Sequence, residues 1–119
     1  MDVQKIYTVL LTTDLAAAEG WYTKLLGRGS DSRPMDTMVQ WELFDQGGLT
    51  LSTDAEIAGR GVMFLVVDDV AAERGRLQGL GIELGDDIAG DYSTLAQVRD
   101  PDGNLLTLAT PPSRPYPPA

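Results

Sequence analysis

The sequence contains no cysteine and no histidine, and each absence excludes a kind of chemistry. Without cysteine the chain has no disulfide, no thiolate nucleophile and no thiolate metal ligand. Without histidine it has no imidazole base and no Ser-His-Asp triad. A zinc, iron or nickel site would depend on carboxylates alone, which are a poor ligand set for those ions. The composition therefore argues against transition-metal chemistry.

Long hydrophobic runs and positive charges are also scarce. The longest apolar run, Val62–Val67, is far shorter than the roughly 20 residues that a membrane helix needs. The first residues, MDVQKIY, show no basic region followed by an apolar stretch, so we expect a cytoplasmic protein without a membrane span. The net charge of −9 argues against a nucleic-acid partner, because binding a polyanion requires clustered lysine and arginine.

The 119 residues contain an internal repeat. The segment Tyr7–Gly20 (YTVLLTTDLAAAEG) aligns with Val62–Gly75 (VMFLVVDDVAAERG), and LTLST at Leu49–Thr53 returns as LTLAT at Leu106–Thr110. Each LTL segment follows a turn that begins with aspartate and contains glycine, DQGG in the first copy and DPDGN in the second. A chain of this length makes one compact domain, so the two copies must fold together.

Each copy predicts the order β-α-β-β-β. An apolar run predicts a buried strand, and Asp14 or Asp69 then caps a helix that ends at Gly27 or Gly81. Three short strands follow, the last two joined by the Asp-Gly turns. We expect a single domain over residues 1–119, with a first unit at about 4–53, a linker at 53–60, a second unit at about 61–110 and a tail at 111–119. The tail is rich in proline and should be extended, without regular structure.

Two βαβββ units, the helix motif TDL…WYTKLLG and the late motif DPDGNLLTL together resemble the vicinal oxygen chelate superfamily. This superfamily comprises glyoxalases, bleomycin-resistance proteins and extradiol dioxygenases, and the resemblance spans Ile6 to Thr110. It implies an α+β fold in which the units form a curved eight-stranded, cup-shaped sheet. The helices would cover its outer face, and a ligand would lie in the cup.

The metal enzymes of this superfamily place ligands at four equivalent strand positions. The resemblance assigns these positions to Tyr7, Thr50, Val62 and Thr107. Valine has no donor atom, and neutral hydroxyl groups are weak ligands for a divalent ion. The resemblance therefore implies a metal-independent protein of the bleomycin-resistance type, without a cofactor.

Side chains alternate along a strand, so these four positions predict the lining of the cup. Counting across the DQGG turn pairs Leu43 with Thr50 and Trp41 with Ser52. The predicted ligand-binding residues are Tyr7, Val9, Trp41, Leu43, Thr50, Ser52, Val62, Phe64, Tyr92, Thr94, Ala96 and Thr107. This lining is apolar and aromatic, which suits a flat hydrophobic molecule.

Three functions remain open, and the lining favours the first. The protein would sequester an aromatic or natural-product ligand of the antibiotic kind, with no catalytic residue. Alternatively, it is a metal-independent lyase or isomerase, with Tyr7, Tyr92, Glu42 and Glu83 as candidate acids and bases. The third possibility is a dimerisation domain without a specific ligand. We also expect a homodimer, with Trp21 as a candidate contact, because open sheet edges need cover.

Overall fold

The computed structural model describes all residues from Met1 to Ala119 and contains eight strands and two helices. Their order is β-α-β-β-β twice, so the predicted repeat of secondary structure is confirmed. The first copy comprises β1 (Ile6–Thr12), α1 (Leu15–Leu26), β2 (Ser32–Met35), β3 (Met38–Phe44) and β4 (Gly47–Thr53). The second comprises β5 (Val62–Val66), α2 (Val70–Gln78), β6 (Ile88–Ala89), β7 (Thr94–Arg99) and β8 (Leu105–Ala109).

The eight strands are divided between two four-stranded sheets. Their strand orders are β1-β4-β3-β2 and β5-β8-β7-β6. In the first sheet β1 runs parallel to β4, whereas β3 is antiparallel to β4 and β2. The predicted α+β class is confirmed. The chain also divides into two compact units, which are described separately: residues 1–62 with 99–105, and residues 63–98 with 106–119.

Both helices begin at the predicted aspartates. The Asp14 carboxylate accepts a hydrogen bond from the backbone N–H of Ala17, and Asp69 does the same for Ala72. Each carboxylate satisfies one of the N–H groups that a first helical turn leaves without a partner. Helix α1 ends at Gly27, whose φ of 75° lies in the left-handed region that glycine adopts without strain.

The core of the first unit lies between α1 and the first sheet. The helix contributes three buried side chains, Ala18, Tyr22 and Leu25. The strands contribute Leu10, Val39, Trp41, Leu49 and Leu51, all nearly inaccessible to solvent. Burying a leucine or valine completely stabilises a fold by about 1.5–3 kcal/mol, so this layer is a main source of stability.

The DPDGN turn is held within the first unit by buried hydrogen bonds. The Asp100 carboxylate accepts hydrogen bonds from the Tyr22 hydroxyl, at 2.7 Å, and from the side-chain amide of Asn104, at 2.8 Å. Asp102 accepts a hydrogen bond from the Thr12 hydroxyl at the end of β1. These bonds explain why residues 99–105 group with the first copy of the repeat.

The second unit has its own buried layer and its own anchors. Helix α2 buries Val70 and Leu77, and β8 buries Leu106 and Leu108. The Arg74 guanidinium donates to the carbonyl oxygens of Leu84 and Gly85 and pairs with Asp87, which fixes the loop after α2.

The C-terminal tail has no regular secondary structure and turns back onto Tyr92. The backbone N–H of Ser113 donates to the Tyr92 carbonyl oxygen at 2.8 Å. The Tyr116 ring and the Arg114 guanidinium each lie 4.8 Å from the centre of the Tyr92 ring.

Candidate functional site

Trp41 does not face the predicted cup, so that assignment is wrong. It pairs with Leu49 rather than with Ser52 and is completely buried under α1. Its ring centre lies 6.4 Å from that of Tyr22, and its indole N–H donates to the carbonyl oxygen of Arg28 at 3.0 Å. Trp41 is therefore a core residue.

The error arises from the turn between β3 and β4. Phe44 pairs with Gly47, which leaves only two residues in the loop, and an irregularity follows at Leu43. As a result Gln40, not Leu43, pairs with Thr50. The displacement is an odd number of residues, and an odd displacement moves every side chain to the other face of the sheet.

The two glycines of DQGG belong to the strand, not to the turn. A Cβ atom on Gly47 would lie 1.8 Å from the carbonyl oxygen of Ile6, and one on Gly48 would lie 1.8 Å from that of Trp41. Only residues without a side chain allow the neighbouring strands to approach this closely. The sequence alone made both glycines look like turn residues.

The second sheet shows a one-residue displacement of the same kind. The backbone N–H of Thr110 donates to the carbonyl oxygen of Thr94, and the Gln97 amide donates to the Thr107 hydroxyl at 3.1 Å. Gln97 therefore shares a face with Thr107. Thr94 and Ala96 lie on the opposite face, where Ala96 is completely buried, so their predicted inward orientation is wrong.

Tyr92 precedes β7 and is covered by Tyr116 of the tail. Of the other predicted lining residues in this region, Val62 and Phe64 are exposed on β5, with 72% and 58% of their surface accessible. Val66 is similarly exposed, whereas the intervening Met63 is buried. The apolar side chains at alternate positions of β5 thus form an exposed strip along this strand.

Four of the predicted lining residues on the first sheet share one face: Tyr7, Val9, Thr50 and Ser52. Strand pairing sets Val9 beside Thr50 and Thr50 beside Gln40, and the adjacent row joins Tyr7, Gly48 and Glu42. Ser52 occupies the next row, beside Leu11. We call this side of the first sheet its open face.

A chain of hydrogen bonds crosses the open face. The Thr50 hydroxyl donates to the Gln40 side-chain oxygen at 2.9 Å, and the Gln40 amide donates to Glu42 Oε1 at 3.3 Å. The Tyr7 hydroxyl donates to the same carboxylate oxygen at 2.6 Å. Gly48 lies between Tyr7 and Glu42 and has no side chain to separate them. The hydroxyl groups of Tyr7 and Thr50, at the positions that the resemblance assigns to metal ligands, are therefore engaged with protein partners.

These bonds also set the protonation states of Tyr7 and Glu42. The hydrogen bond from Tyr7 is the main reason that the pKa of Glu42 is lowered, and the nearby Lys5 ammonium acts in the same direction. The hydrogen bond to Glu42 raises the pKa of Tyr7, with burial and the negative charge adding to the effect. At neutral pH Glu42 is therefore a carboxylate that accepts a hydrogen bond from the neutral phenol of Tyr7.

Gln40 and Gln97 are the site residues that sequence reasoning missed. Each lies ten residues before the threonine that it contacts, Thr50 in the first copy and Thr107 in the second. The internal repeat contained this signal, because both copies place glutamine at the same distance from the central threonine of LTL. Hairpin register had to be known before the contact could be inferred.

Carboxylates do not gather into a metal-binding cluster. No group of three or more aspartate and glutamate side chains is arranged to hold an ion. No helix is long and apolar enough to cross a membrane.

Comparison with solved structures identifies the fold. A glyoxalase/bleomycin resistance protein from Catenulispora acidiphila DSM 44928 superimposes with a TM-score of 0.83 and 25% sequence identity. The alignment covers 91% of this chain and 98% of that one. The chain has the vicinal oxygen chelate fold. The resemblance inferred from the repeat and the two motifs is thus confirmed.

Two further structures show the range of proteins that share the vicinal oxygen chelate fold. TnmS3, an antibiotic binding protein from Streptomyces sp. CB03234, has a TM-score of 0.72 and 23% identity, over 93% of this chain and 96% of its own. A lactoylglutathione lyase from Agrobacterium tumefaciens has a TM-score of 0.74 and 22% identity, over 88% and 91%. No family model and no curated protein sequence matches this chain.

Proposed function

We propose that this protein binds a small aromatic or otherwise hydrophobic molecule without a metal ion and releases it chemically unchanged. The observation that carries the proposal is the hydrogen-bond chain from Thr50 through Gln40 and Glu42 to Tyr7. The hydroxyl hydrogens of Tyr7 and Thr50 are donated to protein acceptors. Neutral hydroxyl groups are also poor metal ligands. The antibiotic-like character of the ligand is part of the proposal.

Apolar side chains on the exposed strand faces support the hydrophobic part of the proposal. Val9 on the open face has 54% of its surface accessible, beside the Tyr7 row of the first sheet. Val62, Phe64 and Val66 are exposed at alternate positions of β5. Covering apolar surface of this kind stabilises a complex by about 25 cal/mol per Å².

The names of the structural neighbours support binding but do not select it over catalysis. One neighbour is an antibiotic binding protein and another is a lactoylglutathione lyase. One fold can host both functions, so the choice must come from the side chains of this chain.

A metal-independent enzyme is the second candidate, and the Tyr7–Glu42 contact is the observation in its favour. The directions of the two pKa shifts argue against a catalytic role for this pair. Glu42 becomes a weaker base when its pKa is lowered, and Tyr7 becomes a weaker acid when its pKa is raised. A general acid or base works best when its pKa lies near the working pH. We therefore favour binding without reaction.

A ligand screen in the presence of EDTA tests this proposal. Aromatic natural products, including antibiotics, are titrated by calorimetry, and the bound compound is recovered and weighed by mass spectrometry. We expect binding that EDTA does not weaken and a recovered mass equal to the starting mass. Val9→Asp should weaken binding, because it places a charge in the apolar surface. Ile57→Asp, which changes an exposed apolar residue of the linker, is the matched control. Binding lost in EDTA, or a product of altered mass, contradicts the proposal.

The homodimer and the cytoplasmic location expected from the sequence stay predictions.

A further inference from the structure

The Glu42 carboxylate has one oxygen that accepts two hydrogen bonds and one that accepts none. Oε1 receives the Tyr7 hydroxyl and the Gln40 amide. Oε2 is enclosed by protein and has no hydrogen-bond partner. The nearest cation is the Lys5 ammonium, at 3.6 Å, which is an ion pair but not a hydrogen bond. An enclosed acceptor without a donor is rare in proteins, and its cause needs to be found.

We propose that the open face of the first sheet selects small molecules that carry a protonated amine, and that the Glu42 carboxylate binds this amine. The inference rests on the proposed small-molecule binding and adds the chemical class of the ligand. The ligand ammonium would take the place of Lys5 and come within hydrogen-bond distance of Oε2.

Lys5 is suited to being displaced. It precedes β1, and 48% of its side chain is exposed. An ion pair with such an exposed ammonium is weak, since water solvates the ammonium and the lysine loses side-chain freedom in holding the pair. A ligand whose apolar part already contacts Val9 loses little further conformational freedom when its amine binds Glu42, because the bound part of the molecule fixes the position of the amine.

The other polar groups of the open face also favour a donor. The hydroxyl hydrogens of Tyr7 and Thr50 are already used within the protein, so their oxygens offer only lone pairs to a ligand. Asp31, which accepts a hydrogen bond from the Glu42 backbone N–H, is paired with Arg28 and adds little net charge. The chain as a whole carries a net charge of −9, which attracts cations.

Three naphthalene probes that differ only in charge test the inference. These are 2-naphthylmethylamine, which is protonated at neutral pH, the neutral 2-naphthalenemethanol, and the anionic 2-naphthoate. Affinities are measured by calorimetry on the full chain at low ionic strength. We expect the amine to bind at least about tenfold more tightly than the alcohol, since charge-assisted hydrogen bonds are the stronger ones. We expect the anion to bind most weakly.

Variants then assign the preference to one side chain. Glu42→Gln should abolish the preference, so that the variant binds the amine and the alcohol with equal affinity. Glu83→Gln removes the same charge from the exposed surface of the second unit and should preserve the preference. Lys5→Ala should raise amine affinity, because the competing ammonium is gone. Thermal unfolding of each variant shows whether the fold is retained. The gain in amine affinity expected from Lys5→Ala is the second check if Glu42→Gln does not fold, because Lys5 is the cation that pairs with Glu42 Oε2; no gain would overturn the inference.

The outcomes separate the inference from the function on which it rests. Equal affinity for the amine and the alcohol, or tighter binding of the anion, overturns the inference and leaves small-molecule binding intact. A preference that survives Glu42→Gln also overturns it. Failure of all three probes to bind contradicts the proposed function and the inference together.

Discussion

The Tyr22 hydroxyl, on the first helix, donates a hydrogen bond of 2.7 Å to the Asp100 carboxylate, which begins the last turn of the fold. The two residues are 78 positions apart in the chain, and both are buried. Burial and the adjacent Asp100 charge raise the pKa of Tyr22 far above its ordinary value of 10.0, so the hydroxyl keeps its proton and acts only as a donor to the carboxylate.

Tyr22→Phe should therefore destabilise the protein. The substitution keeps the buried ring but leaves the Asp100 carboxylate short of one donor. Hydrogen bonds to charged groups contribute about 1.5–3 kcal/mol, and we expect a loss in this range in the free energy of unfolding. Urea denaturation followed by circular dichroism measures it. Tyr116→Phe, which alters an exposed tyrosine of the tail, is the control. A loss below about 0.5 kcal/mol would show that the bond is energetically unimportant.

Trp41→Ala should act on stability and not on ligand contacts. The indole is completely buried, and removing it leaves a cavity under α1 and an unpaired carbonyl oxygen at Arg28. Truncating a core tryptophan or phenylalanine to alanine costs about 3–5 kcal/mol, and we expect a value in that range from urea denaturation. Trp21→Phe, at the partly exposed neighbour of Tyr22, should cost much less. A Trp41→Ala protein as stable as the parent would mean that the indole is not part of the core.

Asp102 should make stability fall in acid. Burial alone would raise the pKa of this carboxyl, but hydrogen bonds from Thr12 and Thr13 outweigh it and hold the pKa below the ordinary value of 3.8. A group with a lowered folded pKa stabilises the fold above its unfolded pKa, and this contribution is lost as pH falls through the folded pKa. The free energy of unfolding should thus decrease below about pH 4. Asp102→Asn should lose the part of this decrease that Asp102 causes. Parallel pH profiles for parent and variant would refute the assignment.

The purified protein should contain no stoichiometric transition metal. The resemblance assigns the family's ligand positions to Tyr7, Thr50, Val62 and Thr107, and the first two are hydrogen-bonded within the sheet. Elemental analysis after dialysis should find far less than one zinc, nickel, iron or manganese ion per chain. One retained ion per chain would contradict the prediction. Loss of that ion in a Glu42→Gln protein would then locate it on the open face.

The protein should form a homodimer in solution. Each four-stranded sheet has two outer strands, β1 and β2 in the first and β5 and β6 in the second, and unpaired strand edges favour association. Two-fold dimers are the commonest assembly of identical chains. Light scattering coupled to gel filtration at micromolar concentration should give twice the mass of one chain. A single-chain mass under those conditions would show that the edges are protected in another way.

The repeat and the two motifs were sufficient to predict the fold from sequence. Asp14 and Asp69 cap the helices as expected, because capping depends only on a short side chain at the right distance from neighbouring N–H groups. Tyr7 and Val9 lie on one face of β1, as the alternation of side chains along a strand requires. Such features are local, and the sequence contains them in full.

Register was decided only by tertiary structure. Gly47 and Gly48 look like turn residues in the sequence, but they lie in β4 because neighbouring backbones approach too closely for any side chain. With both glycines in the strand, Trp41 lies in the core and not in the predicted cup, and Gln40 pairs with Thr50. The repeat and the motifs determined the fold, and the resemblance they carry predicts a protein without the family's metal ligands. The identity of the side chains on the open face depended on contacts between strands that are distant in the chain, which no local pattern specifies.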